Sequence, residues 1–327
     1  MKKLLVSILS LALLVVTVAG CGKKAPDTNI VIAGMKGPTA MGLVKLMSDS
    51  ESGMTHTNHY NFVIEGSPDA VTPKLISGEV DIASVPANLA SVLYNKTEGK
   101  ICVLAVNTLG VLYVVENGNS VNEVTDLKGK TIYTSGKGST PEYALNYVLT
   151  ENGLDPEKDV TIEYKSEHAE CLMALNENKD AVAMLPQPFA TTALMGNEEM
   201  RIALDINQEW NEAAKANGSD ASFLTGVVVA NKEFVENNPE AVALFMEQYS
   251  KSVDFTNNSI SEAADLIEKY DIIKAAVAKK AIPYCNITFI AGEDMKAALG
   301  GYLENLYNYN PASVGGALPN EDFYYNK

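Results

Sequence analysis

The stretch Asn29 to Met47, NIVIAGMKGPTAMGLVKLM, decides how the rest of the chain is read. Ile30 to Ala33 is an apolar run short enough for a buried strand. Gly34, Gly37 and Pro38 then punctuate a turn, and Thr39 stands where a helix N-cap is expected. Behind it Met41, Leu43, Val44, Leu46 and Met47 recur at helical spacing. The unit is strand, glycine turn, helix. Unpaired N–H groups at such a helix start point above the strand's carboxyl end, where ligands bind in open α/β sheets.

The same unit recurs down the chain. Expected strands are Phe62–Glu65, Asp81–Val85 and Ile101–Thr108, with helices over Pro68–Ile76 and Asn88–Tyr94. Val111–Glu116 follows the third strand after Gly110 alone, which reads as a crossing between lobes. Strands at Lys130–Thr134, Val160–Lys165, Ala181–Leu185 and Arg201–Ile206 then alternate with helices at Pro141–Leu149, Ala169–Leu175 and Phe189–Met195. A polar loop carrying Trp210 is expected next, then a return strand Thr225–Ala230. Helices over Pro239–Phe255, Ser259–Tyr270, Lys274–Lys280 and Asp294–Leu306 precede an irregular tail. Alternation of this kind implies mainly parallel sheets. The expected fold is α/β with two lobes, 29–110 plus 225–327 and 111–224, joined by two crossover strands around a hinge cleft.

Met1–Gly20 reads as an export signal: Lys2 and Lys3, then an apolar segment too short for a confident membrane span. Val18-Ala19-Gly20-Cys21 places small residues directly before a cysteine. Residues 21–28 are polar and serve as a tether. The chain has 41 acidic and 25 basic residues, and loss of Lys2 and Lys3 takes its formal charge from −16 to −18. That balance excludes nucleic acid as a natural partner. Arg201 is the only arginine. Cys102, Cys171 and Cys285 remain beyond Cys21, an odd number that makes no disulfide framework.

Val18 to Cys21 resembles the lipobox of bacterial lipoproteins, which implies cleavage before Cys21 and lipidation there. GMKGPTAMGLVKLM, the run from Asp126 to Tyr164, AVAMLPQPFATTAL and TGVVVANKEFVENNPEAV resemble solute-binding lipoproteins of ABC importers, of the nitrate, sulfonate, taurine and thiamine-pyrimidine type. The resemblance implies a type II periplasmic-binding fold and a monomer held by lipid on the outer face of the bacterial cytoplasmic membrane. It also implies a small-molecule solute handed to an ABC permease, with no cofactor. Carried onto this chain, its ligand pocket comprises Lys36, Gly37, Pro38 and Thr39; Val85, Pro86, Ala87 and Asn88; Thr108 and Leu109; Ser135, Gly136, Lys137, Gly138, Ser139 and Thr140; Pro186 and Gln187; and Thr225. Sulfonate and carboxylate binders often place an arginine in the cleft, and Arg201 begins a strand rather than ending one.

Each motif has a plainer reading beside the functional one. Ser135–Thr140 suits a polar or anionic group, or is a tight surface turn; it lacks the GxxxxGK[ST] spacing of nucleotide hydrolases. Gln187 can orient a ligand, while Pro186 and Pro188 alone would account for a rigid helix start. Ser67 before Pro68 reads as an N-cap, with Glu65, Gly66 and Asp69 as alternative cleft groups. His56, His59 and His168, with Glu167, Glu170 and Cys171, make no convincing zinc set, and solvated surface is the expectation for them. No GxSxG or HExxH is present, so no catalytic residue is assigned. The enzyme alternative is a thiamine-pyrimidine-synthase-like activity, whose histidine and cysteine-rich motif is not seen. Tyr94, Tyr113 and Trp210 are candidate apolar walls. Amides and hydroxyls without an arginine suggest a neutral or weakly anionic heterocycle, with sulfonate, taurine or nitrate as the alternative.

Overall fold

A computed structural model describes residues 27–219 and 221–326. The export signal and most of the tether, Cys21 included, lie outside the described residues. No helix among them is long and apolar enough to cross a membrane.

The chain opens with β1 (Thr28–Met35), α1 (Pro38–Met41), α2 (Val44–Glu51), β2 (Asn58–Glu65), α3 (Pro68–Ser77), β3 (Ile82–Pro86), α4 (Ala87–Lys96) and β4 (Ile101–Leu109). Thr28, expected in the tether, already belongs to β1. The expected single helix after β1 is two. The Ser252 hydroxyl donates to the Gly42 carbonyl at 2.6 Å and accepts from Leu46 N–H at 3.1 Å, so it stands in the helical bond those two groups would share. Thr39 is not the N-cap. Gly37 holds that position at φ +131°, and the Thr39 hydroxyl donates to the Met35 carbonyl at 3.1 Å.

Only Gly110 and Val111 separate β4 from β5 (Leu112–Asn117). Then come β6 (Thr131–Ser135), α5 (Thr140–Glu151), β7 (Thr161–Lys165), α6 (His168–Glu177), β8 (Val182–Pro186), α7 (Phe189–Gly196), β9 (Met200–Asp205) and α8 (Ile206–Ala216). The expected polar loop around Trp210 is therefore α8. Its start is capped by the Asp205 carboxylate, which accepts from the N–H groups of Asn207 and Gln208. Helical periodicity put Trp210 and Ala214 on one buried face, beneath polar residues that looked like loop. The chain returns through β10 (Leu224–Asn231), α9 (Lys232–Asn237), α10 (Pro239–Asn258), α11 (Ile260–Lys269), α12 (Ala275–Ala281), β11 (Ile287–Ile290) and α13 (Gly292–Tyr309). The tail is less loose than expected. Phe323 is fully buried, and Tyr325 N–H donates to the Val103 carbonyl at 2.9 Å along β4.

Two sheets result, ordered β11-β4-β10-β3-β1-β2 and β7-β6-β8-β5-β9. β1 pairs parallel with β2 and β3, and β6 parallel with β7 and β8. The strands that arrive from the other lobe run the opposite way: β10 is antiparallel to β3 and β4, and β5 is antiparallel to β8 and β9. The sheets are thus mixed rather than mainly parallel, because a strand entering from across the gap must run away from it. The same order, second–first–third–crossing–fourth, is repeated in both lobes.

Each lobe has its own outer core, and a third core joins them. In the joining core Trp210 sits 5.3 Å from Tyr147, 5.9 Å from Phe223 and 5.6 Å from Tyr302 between ring centroids. Tyr302 comes from α13, so the C-terminal helix ties the second lobe to the first. Gly110 lies against the same cluster: a Cβ there would fall 2.3 Å from Asn207 Oδ1 and 2.5 Å from the Phe223 ring. Trp210→Ala should cost about 3–5 kcal/mol in urea unfolding. A loss below about 1 kcal/mol would show that the joining core carries little of the stability.

Candidate functional site

The carboxyl ends of β1, β3, β6 and β8 face one another across the gap between the sheets, and a cavity of about 210 Å³ lies there. Its walls come from the turns after those strands: Lys36, Pro38 and Thr39; Pro86; Ser135, Gly136, Ser139 and Thr140; Pro186 and Gln187. The crossings supply Thr108, Val111, Leu112 and Thr225, and Met35, Pro68, Pro141, Ser166, Glu167, His168 and Phe189 complete the lining. This is room for a small molecule, not for a polymer strand.

Helices α3, α4, α5, α6 and α7 all begin at this cavity, and none is capped by the side chain of its N-cap residue, although in the first turn of α7 the Thr191 N–H is taken by the Gln187 side chain. Free N–H groups and the positive ends of the helix dipoles therefore point inward. Prolines blunt that effect. Pro68 and Pro141 open α3 and α5, and Pro86 and Pro188 precede α4 and α7. Each removes one N–H where an anion would sit, and Pro68, Pro86 and Pro141 present ring carbons to the cavity instead.

Full positive charge is scarce. The Lys36 ammonium is half-exposed and bonds the Asp271 carboxylate at 2.8 Å, a contact that holds Asp271 below its ordinary value. Lys137 does not line the cavity; its ammonium lies 5.6 Å from the centroid of the Tyr164 ring. Arg201 pairs with Glu116 at 2.5 Å, at the end of β5 remote from the cleft. Burial pushes the Glu116 carboxyl up, but bonds from Ser120 and Val121 and the Arg201 charge outweigh it, leaving the group below its usual range.

Other sequence-derived candidates are placed elsewhere. Val85 and Ala87 are core residues, Leu109 packs against that core, and Gly37 and Gly138 are open left-handed turn positions. Asn88 is fully buried and has both amide atoms engaged: Nδ2 donates to the Ser313 carbonyl at 2.9 Å, and Oδ1 accepts from the Thr140 hydroxyl at 3.0 Å. It joins α4 to α5 across the gap rather than facing the cavity. The expected aromatic walls are absent from the lining. Tyr94 donates to Asp322 at 2.6 Å, Tyr113 donates to the Tyr284 carbonyl at 3.3 Å, and Trp210 belongs to the core. Ser67 holds the N-cap position of α3 without a cap bond, and Glu65 bonds Lys74 at 2.6 Å.

His168, expected on solvated surface, is a cavity residue. Its Nδ1 is 2.7 Å from the Ser135 hydroxyl, and its ring centroid is 5.1 Å from that of Phe189. Burial pushes the imidazole down to about 4, so it is neutral at pH 7. Sequence reasoning passed over it because His was weighed only as a metal ligand. The strand–turn–helix rule applied to Tyr164–His168 would have found it. Among the described residues no group of His, Cys, Asp and Glu is placed to hold a metal ion. Gln187 and Thr225 supply free polar atoms. Gln187 Oε1 is taken by the Thr191 N–H and hydroxyl, leaving Nε2 with no partner among the described residues, and the buried Thr225 hydroxyl likewise has no partner among them.

The neutral His168 ring carries a pH signature. Unfolded, it titrates near its ordinary 6.5, so below that pH the unfolded chain takes up the proton first. Its contribution is complete above pH 6.5 and is lost as the pH falls toward 4. Urea titrations should show the wild type losing more stability than His168→Gln across that window; parallel losses would place the ring in solvent.

Residues 50–271 match the family described as ABC transporter, phosphonate, periplasmic substrate-binding protein. An ABC transporter structure from Parabacteroides distasonis superposes with a TM-score of 0.75 at 25% identity, covering 92% of this chain and 100% of that one. The periplasmic aliphatic sulphonate binding protein SsuA from Escherichia coli gives 0.72 at 16% identity, over 92% and 93% of the two chains. The alkanesulfonate-binding protein SsuA from Xanthomonas axonopodis bound to MOPS gives 0.69 at 14% identity, over 90% and 96%. No curated protein sequence matches. With the matched family spanning more than half of the chain, and two lobes closing on a cavity at the sheet ends, the chain belongs to the periplasmic substrate-binding proteins of ABC transporters, phosphonate family, which bind a small solute outside the cytoplasm for an ABC importer.

Proposed function

We propose that the solute is a small neutral or weakly anionic molecule built on a ring. The observation that carries this is the cleft's charge: five helix starts blunted by prolines on four of them, Lys36 already paired, and Arg201 remote. A small multiply charged oxyanion would lack the guanidinium fork that usually reads it. Phe189, His168 and the proline rings form flat apolar walls suited to a heterocycle, and Gln187 Nε2 and Thr225 provide the orienting contacts. A phosphonate or sulfonate is the second reading, supported by the family description and by the two sulfonate-binding neighbours. Helix N-termini can hold such anions without a cation.

The chain is read as a carrier, not a catalyst. The Ser135–His168 pair has no third described residue bonded to the imidazole to orient it as a base. Turnover of a pyrimidine or phosphate ester by the purified protein would revive the enzyme reading. Delivery is proposed from a lipid anchor at Cys21. Cys21→Ala should shift the protein from the membrane to the soluble fraction, and its retention in membranes would count against the anchor.

Calorimetry with pyrimidines, flavins, taurine, short alkanesulfonates, alkylphosphonates and nitrate separates the two ligand readings. Heterocycle binding is expected, with Gln187→Ala weakening it by about 1–3 kcal/mol, the usual effect of removing one partner of a buried polar contact. Micromolar binding of nitrate or a sulfonate with no heterocycle binding would sink the first reading.

A further inference from the structure

We propose that the C-terminal turn, residues 311–317, is a strut that sets the register of the two lobes, and that Asn88 is the positioning residue through which it acts. The proposal rests on the reading that the solute binds between the lobes, because their register sets the shape of the cleft. Both ends of the Asn88 amide are spent on protein partners, so its role is not that of a ligand contact.

One face of α4 holds the turn. Asn88, Ser91 and Asn95 follow one another at helical spacing, and each donates to a turn carbonyl. Asn88 Nδ2 donates to Ser313 at 2.9 Å and Ser91 Oγ to Val314 at 2.8 Å. Asn95 Nδ2 donates to Val314 at 3.0 Å and to Ala317 at 2.7 Å. The approach is close enough to require glycine. At Gly315, with φ +88°, a Cβ would fall 3.0 Å from Val92 Cα and 3.1 Å from Asn95 Nδ2. The turn is thus fixed to the first lobe before it bears on the second.

The second lobe meets it through Thr140, the first residue of α5, whose hydroxyl lies 3.0 Å from Asn88 Oδ1. A carbonyl only accepts, so Ser313 decides which end of the Asn88 amide faces α5, and Thr140 donates to the other end. Asn88, Thr140 and Ser313 are all buried, and moving Thr140 away would leave Oδ1 unpaired in the interior. Further along α5, the Tyr147 ring lies 5.9 Å from the Tyr309 ring, and the Thr150 hydroxyl 3.3 Å from the Tyr309 hydroxyl. α13 and the turn after it therefore grip α5 at its start, its middle and its end. The ring contact tolerates sliding, whereas the bond to Asn88 is satisfied in one position. It selects one lobe arrangement from those the ring contact permits.

Spin labels at Glu177→Cys and Glu262→Cys read the register as a distance distribution, without solute, on the purified Cys21→Ala chain. Both positions are exposed, on α6 of the second lobe and α11 of the first, and both helices pack on the outer cores rather than the joining core. Cys102, Cys171 and Cys285 are buried. With no further change the labels should give one narrow distance. Asn88→Ala should broaden it and add a longer-distance population, and Gly315→Ala, on the far side of the strut, should do the same. Thr140→Ser keeps the hydroxyl and should keep the narrow distance; Thr140→Val should lose it. A bond that serves stability alone would lower the melting temperature of Asn88→Ala and Thr140→Val and leave the distance as it was, and that result would overturn the proposal. So would a broad distance before any of these substitutions. If Asn88→Ala does not fold, the comparison of Thr140→Ser with Thr140→Val decides in the same way. Failure of Thr140→Val to fold would make the bond a condition of the fold and overturn the proposal as well. The cleft reading is tested apart from this by calorimetry: solute binding that Gln187→Ala does not change counts against the cleft, while the distances, taken without solute, still decide the strut.

Discussion

The site depends on the shortness of one connection. β4 ends at Leu109 and β5 begins at Leu112, so the chain passes between sheets with two residues to spare. No slack exists for either sheet to turn away. Gly110 makes the passage possible, because any side chain there would collide with Asn207 and Phe223. A strand that enters its sheet from the gap runs away from it, and its parallel neighbours must point back. That is why β1, β3, β6 and β8 aim their carboxyl ends at one another, and why the turns after them share one cavity. The return crossing is equally tight: a Cβ at Gly226 would lie 2.7 Å from both Asn107 Oδ1 and Thr39 Cγ2.

Behind the cavity the two lobes are held by chemistry of two kinds. The aromatic cluster around Trp210 is apolar and shared, with α13 contributing Tyr302 and Tyr309 against α5 and α8. The Thr140–Asn88–Ser313 chain is polar and buried. An apolar contact tolerates small sliding, whereas a buried hydrogen bond to a single partner is lost when its ends part. The polar chain begins at a cavity residue and ends on the C-terminal turn, so a shift of one lobe against the other is felt at both places.

The electrostatics of the cleft come from a balance rather than from a single charge. Five helix starts would make a strong anion site in a chain without prolines at those positions. Proline at the start is favourable for the helix, since its φ is already helical and its missing N–H would have had no partner in the helix. The same substitution removes that N–H from the cavity and adds an apolar surface. Helix stability and ligand chemistry are thus set by the same residues, and a net charge of −16 over the whole chain adds no attraction for anions.

Much of this was legible in the residues themselves. Apolar runs of strand length, helical spacing behind them and glycine or proline at the joints located nearly every strand and helix, and the short β4–β5 link showed where the chain crosses. The strand-end rule brought Thr39, Pro86, Thr108, Ser135, Thr140, Gln187 and Thr225 to one cavity. What sequence could not decide was which way side chains face and what they meet. α8 reads as polar because only Trp210 and its helical neighbours are buried. Asn88 and Thr140 look alike as polar residues at helix starts, yet one faces the C-terminal turn and the other the cavity. His168 carries no local mark of its neutrality, which arises from burial by segments distant in the chain. Local periodicity is a property of adjacent residues and is written in their order. Orientation, protonation and the direction of a hydroxyl proton are set by atoms tens to hundreds of residues away, and only the packed structure brings those atoms into contact.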